Sequence, residues 1–294
     1  MKGDKYMFDV ELMRLEMQSP FAIHENEILV DEESEQFGKY INLNQFQMEI
    51  VKAANVMLFV TRQLLKKYLI RQGVEFNEKS LTKQLKRLSL NNYLSKKTFI
   101  STDGGESVTK IYTLGRKGKG FLRNMGIRVK LEGYINDRTP GQVKKILAAN
   151  QAMLEIAGND KRIYIETARI FLLNEGQPKI TGMLFRALGY MNNKEEGKSY
   201  FIQPVRNEKD DVKELLDKLY RMEQVIKKTE LSELKIKRSV TVIIVAENKK
   251  WMEYIENLLE NEQKNYRHFQ LAMTYDRLIV SENLPLDKKI RFLY

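Results

Sequence analysis

Hydrophobic residues recur at helical spacing in three successive segments between residues 43 and 92. Asn44, Thr61 and Asn77 each precede one of these segments, where a side-chain oxygen can accept a hydrogen bond from a free N–H group of the first helical turn. In the third segment, "EKSLTKQLKRLSLNN", the leucines form one stripe and the basic residues lie on the opposite side of a helix. The pattern therefore predicts three short helices in succession.

Alternating polar and apolar residues predict a hairpin after the third helix. The strands "LSKKTFIS" and "SVTKIYTL" are joined through Asp103-Gly104-Gly105, a sequence suited to a turn with positive φ. Tyr112 and Leu114 are predicted to close this hairpin onto the core, and a fourth helix begins near Arg116. Three helices followed by a two-stranded wing is the order of a winged helix-turn-helix. The basic first turn of the fourth helix opposes the helix dipole, so helix stability does not explain its charge.

A long helix, "TPGQVKKILAANQAMLEIAG", is predicted next, with Thr139 and Gln142 as a capping box, Pro140 at its first position and Gly158 at its end. Strands and helices alternate beyond it, which predicts an α/β domain. The predicted fold class is thus α/β, or α+β over the whole chain. The predicted segments are an acidic N-terminal segment (1–42), a winged helix-turn-helix domain (43–128), a linking helix (129–158) and a C-terminal α/β domain (159–294).

Composition narrows the possible classes of protein. The 294 residues are 43% hydrophobic, enough for a substantial core, and they include no cysteine and two histidines. Disulfides, thiolate nucleophiles and cysteine zinc sites are therefore excluded. No run approaches the roughly 18 consecutive apolar residues of a membrane span, so we expect a cytoplasmic protein without membrane contact.

The net charge of +11 is concentrated in the middle of the chain. Residues 1–42 hold 4 Lys and Arg against 10 Asp and Glu, whereas residues 43–145 hold 21 against 7, a net charge of +14. This asymmetry indicates a polyanionic partner for the middle segment. One hypothesis is that the acidic stretch "ILVDEESEQFG" packs on the basic domain and competes with that partner.

Double-stranded DNA is the partner that the charge and the element order favour together. The third helix of such a domain enters the major groove, and the wing and helix ends contact phosphates. RNA is less favoured because aromatic residues do not alternate with basic residues on a strand surface. The base-edge candidates are Ser80, Lys83, Gln84 and Arg87, and the phosphate candidates are Thr61, Lys79, Lys86, Lys96, Lys97, Lys110, Arg116, Lys117 and Lys119.

Three phrases, "VTRQLLKKYL", "SLTKQLKRLSLNNYL" and "YTLGRKGKGFL", resemble the N-terminal winged helix of the replication-relaxation family of Gram-positive plasmids, phages and integrative elements. Gly115 stands where that family more usually has a capping threonine. The long helix also resembles the family's linking helix, with Asn150 in a fitting place, although an early histidine is missing. The resemblance covers about residues 43–158. It implies a DNA-binding protein of a mobile element.

A metal-dependent nuclease is the alternative from a different class of protein. The order of elements in the C-terminal half is similar to the restriction-endonuclease-like domain attributed to the family, which needs acidic residues for Mg²⁺. The predicted third strand has Gln203-Pro204-Val205-Arg206 where an acid-x-lysine pair is expected. Glu247-Asn248-Lys249 spells such a pair, but Asn248 is a good helix cap there. Glu166 is the other possible ligand.

We therefore expect no catalytic residue, metal or cofactor in this chain, and a degenerate C-terminal domain that serves assembly. The predicted function is sequence-specific binding of duplex DNA, as a homodimer, by a transcriptional regulator or an origin-binding accessory in replication or relaxation. Other proteins of the same mobile element are further candidate partners. A small signal or peptide that binds the C-terminal domain and controls DNA affinity is a third hypothesis.

Overall fold

The computed structural model describes residues 19, 21–22, 27–31, 40–101, 109–130, 138–171, 185–193, 195–206, 209–228, 239–262 and 265–293. Within these ranges the protein is a mixed α/β structure with two sheets. It divides into two compact units: the basic unit, Ile23–Asn150 with Gly158–Lys161, and the six-stranded unit, Met1–Ala22, Gln151–Ala157 and Arg162–Tyr294. The boundary between the two units falls between Asn150 and Gln151, inside the helix Pro140–Ala157.

The basic unit contains the predicted succession of helices and strands. Its elements are β1 (Glu27–Asp31), α1 (Gln45–Met57), α2 (Arg62–Arg71), α3 (Glu78–Leu90), β2 (Leu94–Ser101), β3 (Thr109–Leu114), α4 (Arg116–Asn124) and the first part of α5 (Pro140–Ala157). The three predicted caps are confirmed. Asn44, Thr61 and Asn77 accept hydrogen bonds from the backbone N–H groups three residues later, at 2.9, 3.2 and 2.7 Å. The predicted turn at residues 103–105 lies outside the described residues.

A strand that the sequence pattern does not predict completes the first sheet. β1 pairs antiparallel with β2, which pairs antiparallel with β3, so β2 is the central strand. The carboxylate of Glu27 in β1 pairs with the Lys144 ammonium group, and both side chains are buried. Glu27–Asp31 therefore belongs to the same sheet as the hairpin, although it comes from the acidic N-terminal segment.

A tight turn between α1 and α2 depends on one side chain of α5. Leu58 has a φ of +62°, which is strained for a residue with a branched side chain, and the Phe59 N–H donates to the Met57 carbonyl at 2.7 Å. The Asn150 amide donates to the carbonyls of both Met57 and Phe59 at 2.9 Å and is fully buried. Asn150 therefore stabilises the strained turn.

The six-stranded unit is built on one mixed sheet. Its strands are β4 (Ile163–Phe171), β5 (Phe185–Asn193), β6 (Lys198–Val205), β7 (Ser239–Ala246), β8 (Gln270–Tyr275) and β9 (Arg291–Phe292), adjacent in that order. Its helices are α6 (Lys209–Lys228), α7 (Lys249–Glu262), α8 (Asp276–Ile279) and α9 (Leu286–Lys289). Strands β6, β7 and β8 are parallel to one another. Apolar residues of α6 and α7 pack on one face of these strands as a single core.

The last turns of α5 belong to this unit. A Cβ atom at Gly189 in β5 would lie 3.0 Å from the Met153 sulfur and 2.9 Å from the Ile202 Cβ, so only glycine fits at this contact without a shift of its neighbours.

The predicted capping box at the start of α5 is confirmed. The Gln142 N–H donates to the Thr139 hydroxyl, and the Thr139 N–H donates to the Gln142 side chain.

Charged residues follow the parallel strands directly. Arg206, after β6, and Asp276, after β8, are fully buried. Two guanidinium nitrogens of Arg206 donate to the two Asp276 carboxylate oxygens at 2.5 and 3.2 Å. Asp276 also accepts from the hydroxyl of Ser19, and Gln151 donates to the Asp276 carbonyl at 3.2 Å. Contacts to Asp276 thus connect four separate parts of the chain.

We expect Asp276→Asn to lower the free energy of unfolding by about 3–5 kcal/mol, because it leaves the Arg206 charge buried without a carboxylate. Glu195→Gln is the matched control. It removes an ion pair with Arg162 in which both side chains are about 60% exposed, and it should change stability by at most about 1 kcal/mol. Urea unfolding of both variants measures the difference. Equal small shifts would contradict a structural role for the buried pair.

Candidate nucleic-acid interface

The exposed face of α3 carries four cations. Leu81, Leu85 and Leu88 are at most 1% exposed and hold the opposite face against the core. The side chains on the outer face are Lys79, Lys83, Lys86 and Arg87, all exposed. Across the described part of the chain, none of the four has an acidic partner. The face is therefore a concentrated positive charge that the described residues do not neutralise.

The other two base-edge candidates on α3 are less exposed. Ser80 is half-buried in the first turn, where its backbone N–H is bound by the cap. The Gln84 side chain is half-buried, and its oxygen accepts a hydrogen bond of 2.7 Å from the Gln47 amide in α1. Gln84 thus connects α3 to α1 through a side-chain hydrogen bond. This contact occupies the Gln84 oxygen, and the assignment of Gln84 as a base-edge residue stays a prediction.

The strand lysines fall into two groups. Lys110 in β3 is exposed and Lys96 in β2 is half-buried. Lys97 is only 7% exposed, and this burial does not favour its predicted role as a phosphate contact. The physical reason is the strand β1, which pairs with β2 and places Lys97 between Ile111 and Asp31 in the ladder.

Three predicted phosphate contacts lie in the first turn of α4. Arg116 is exposed, Lys117 and Lys119 are half-buried, and the Lys117 ammonium group lies 4.7 Å from the centre of the Tyr40 ring. No acidic residue occurs in this turn. Cations at a helix N-terminus are unfavourable with the dipole, so these residues are not explained by the stability of α4.

The N-terminus of α4 is capped from outside the helix. The Asn92 side chain accepts from the Arg116 N–H at 3.0 Å, and the Asn92 carbonyl accepts from the Lys117 N–H at 2.9 Å. A Cβ at Gly115 would lie 2.6 Å from the Asn92 carbonyl oxygen, and one at Gly118 would lie 2.2 Å from that of Tyr93. The two glycines thus allow the close approach, and a threonine at position 115 would not fit.

Arg62 and Lys66 at the start of α2 extend the charged surface, and the sequence analysis does not single out these two residues. Thr61 is occupied as the cap of α2. The Lys66 ammonium group donates to the carboxylate of Glu78 at the start of α3, and Arg62 donates to the Thr82 hydroxyl at 3.3 Å. The hydrogen bond from Lys66 lowers the pKa of Glu78. The spacing i, i+4 of Arg62 and Lys66 just after a cap is a sequence signal that could have identified this cluster.

The residues considered for a nuclease have other contacts. Glu247 is 5% exposed, and Asn248 accepts from the Trp251 N–H at 2.9 Å, which confirms Asn248 as the cap of α7. Glu166 pairs with Arg169 at 3.5 Å and accepts from the Tyr164 hydroxyl at 3.1 Å. Over the described ranges, no group of three acidic, histidine or cysteine side chains could hold a metal ion. No helix within those ranges is long and apolar enough to cross a membrane.

A comparison of the chain with known protein families, with curated proteins and with solved structures found no match. The candidate interface therefore rests on the residues and contacts described above.

We expect Gly118→Ala to lower the free energy of unfolding by about 1–3 kcal/mol, because its methyl group would overlap the Tyr93 carbonyl oxygen. Gly120→Ala in the same helix is the control. Nothing lies within 4 Å of its added methyl group, so the better helix propensity of alanine should stabilise the protein by up to about 1 kcal/mol. Thermal unfolding of the two variants tests the contact. Equal midpoints would refute it.

Proposed function

We propose that this protein binds double-stranded DNA sequence-specifically through a winged helix-turn-helix formed by α1, α2, α3 and the β2–β3 hairpin. The observation that carries the proposal is the exposed face of α3, with four cations that have no acidic partner among the described residues. Uncompensated like charges on one helix face repel one another, and a phosphate backbone relieves this repulsion.

The proposal assigns two roles to the basic residues. Lys83 and Arg87 contact base edges in the major groove, where arginine binds guanine with two hydrogen bonds. Lys79 and Lys86 on α3, and the first turn of α4, contact phosphates and fix the orientation of the duplex. The unfavourable position of three cations at the α4 N-terminus supports this assignment, since helix stability gives no reason for it.

The biological role is proposed from the resemblance to the replication-relaxation family. The protein would act on a plasmid, phage or integrative element, as a transcriptional regulator or as an origin-binding accessory. The six-stranded unit, proposed as a degenerate restriction-endonuclease-like domain, would serve assembly of a homodimer. Two copies would then bind two half-sites at a spacing that the dimer determines.

Selection from a random duplex library at near-physiological salt tests the proposal. Enrichment of a paired motif is the expected result, and the genomic position of that motif distinguishes an operator from an origin. Uniform weak binding with a steep salt dependence would contradict sequence-specific recognition. Nicking of plasmid DNA in Mg²⁺ that Glu247→Ala abolishes would favour the nuclease instead.

We expect the basic residues of α3 to separate into two classes in that assay. Arg87→Ala should cost about 1–3 kcal/mol on the best site, and Arg87→Lys should keep the salt dependence but relax the preference at one base pair. Lys79→Ala and Lys86→Ala should weaken binding to all sequences and each reduce the salt slope by about 1. Binding is measured by fluorescence anisotropy over a range of salt concentrations.

Lys213→Ala and Lys250→Ala are the controls for charge alone. Both lysines are exposed on helices of the six-stranded unit and have no acidic partner in the part of the chain that the structure describes. They should leave affinity and salt slope unchanged. A loss equal to that of the α3 variants would mean that net charge, rather than this face, binds DNA.

The hypothesis of an inhibitory acidic segment needs a variant that leaves β1 in place. Deletion of residues 1–35 would remove β1 and the carboxylate that pairs with buried Lys144. Replacing Glu32, Glu33 and Glu35 with glutamine removes charge while keeping that strand. If the segment competes with DNA, this variant should bind more tightly at fixed salt, and unchanged affinity would refute the hypothesis.

A further inference from the structure

The N-terminal turns of α2 and α3 border a small cavity in the basic unit. Its volume is about 110 Å³, and its lining residues are Arg62, Gln63, Lys66, Glu78 and Leu81. Four of these five side chains are polar, and three are charged. The cavity therefore lies beside the cationic face of α3 and differs from it in containing a carboxylate.

Hydrogen bonds hold the charged groups of the cavity in defined positions. Lys66 donates to one oxygen of the Glu78 carboxylate. Arg62 donates to the Thr82 hydroxyl at 3.3 Å, and that hydroxyl donates to the Glu78 carbonyl at 3.2 Å. The starts of α2 and α3 are thus cross-linked through Glu78 and Thr82.

Stability explains little of this cluster, since a carboxylate in the first turn of a helix gains only a small stabilisation from the helix dipole. The side chains of Lys66 and Glu78 are 42% and 57% exposed, and ion pairs with such exposure contribute little. Glu78 is also the one acidic residue in the sequence of α3. Beside a phosphate backbone its charge would reduce affinity, so its presence favours a role in choosing the sequence rather than in holding DNA.

The chemistry of base edges suggests that role. In the major groove a carboxylate accepts a hydrogen bond from the amino group of cytosine, whereas a glutamine pairs with adenine. The first residues of a recognition helix are those that reach base edges, and Glu78 is the first residue of α3. Lys66 binds one carboxylate oxygen and offsets its charge. The second oxygen has no hydrogen-bond partner among the described residues, so it is accessible to a base.

We infer that Glu78, positioned by Lys66, is a specificity residue that selects cytosine at one position of the DNA site. This inference rests on the proposed function and deepens it. Arg62, in the first turn of α2, contacts the neighbouring phosphate, because the helix that precedes a recognition helix crosses the backbone. Glu78 therefore adds to the discrimination assigned to Lys83 and Arg87, while Lys79 and Lys86 contribute affinity.

Parallel selections from a random duplex library test the inference with the wild-type protein, Glu78→Gln and Glu75→Gln. We expect the wild-type motif to contain a cytosine that Glu78→Gln replaces with adenine, with a change in relative preference of roughly 5- to 150-fold. Glu75 is exposed, precedes α3 and does not line the cavity, so Glu75→Gln should leave the motif unchanged.

Three other outcomes of these selections would overturn the inference. An enriched motif that Glu78→Gln leaves unchanged overturns the inference and leaves the proposed function standing. Tighter binding of Glu78→Gln to all sequences, with the same preference, also overturns it, because Glu78 would then act through its charge alone. No enriched motif for the wild-type protein overturns both the inference and the proposed function.

Discussion

The turn at Asn92 and Tyr93 is the constraint on which the geometry of the basic surface depends. Asn92 has a φ of +57°, which asparagine tolerates better than most residues, and the Tyr93 N–H donates to the Leu88 carbonyl to end α3. The same two residues accept from the backbone N–H groups that open α4. The distance between the two helices is thus determined by hydrogen bonds from backbone N–H groups to Asn92 and Tyr93, in which the side chains of the cations take no part. Replacing those cations changes the charge of the surface and leaves its framework in place.

Interior and surface charges follow opposite rules in this protein. The buried carboxylates of Glu27 and Asp276 each pair with a buried cation, because an isolated charge inside a protein is very costly. The outer face of α3 has no such requirement, since water solvates exposed ammonium and guanidinium groups. Within the described ranges no acidic side chain pairs with the cations of that face, so their charge stays accessible to a ligand. Glu78, the first residue of α3, is the one acidic residue of that helix, and among the described residues its side chain and carbonyl are bound by Lys66 and Thr82.

Local features were predictable from the sequence, and non-local ones were not. The caps at Asn44, Thr61, Asn77 and Asn248 involve groups within three residues, so residue type and position suffice to predict them. Strand β1 has five residues and pairs with a strand about 70 positions away, which leaves little local signal. The burial of Lys97 follows from that strand. The cap of α4 by Asn92, the Gln47–Gln84 bond and the Arg206–Asp276 pair likewise join residues 24 to 70 positions apart, and no periodicity marks them.

The central position of β2 has a consequence for how this unit behaves outside the full chain. A fragment beginning near residue 43 would keep every helix of the basic surface but lose β1. One whole side of β2 would then present unpaired N–H and C=O groups, which are a template for pairing with another chain. Self-association of such a fragment through this edge would be an artefact of truncation, and apparent cooperativity in its binding would say nothing about the assembly of the intact protein.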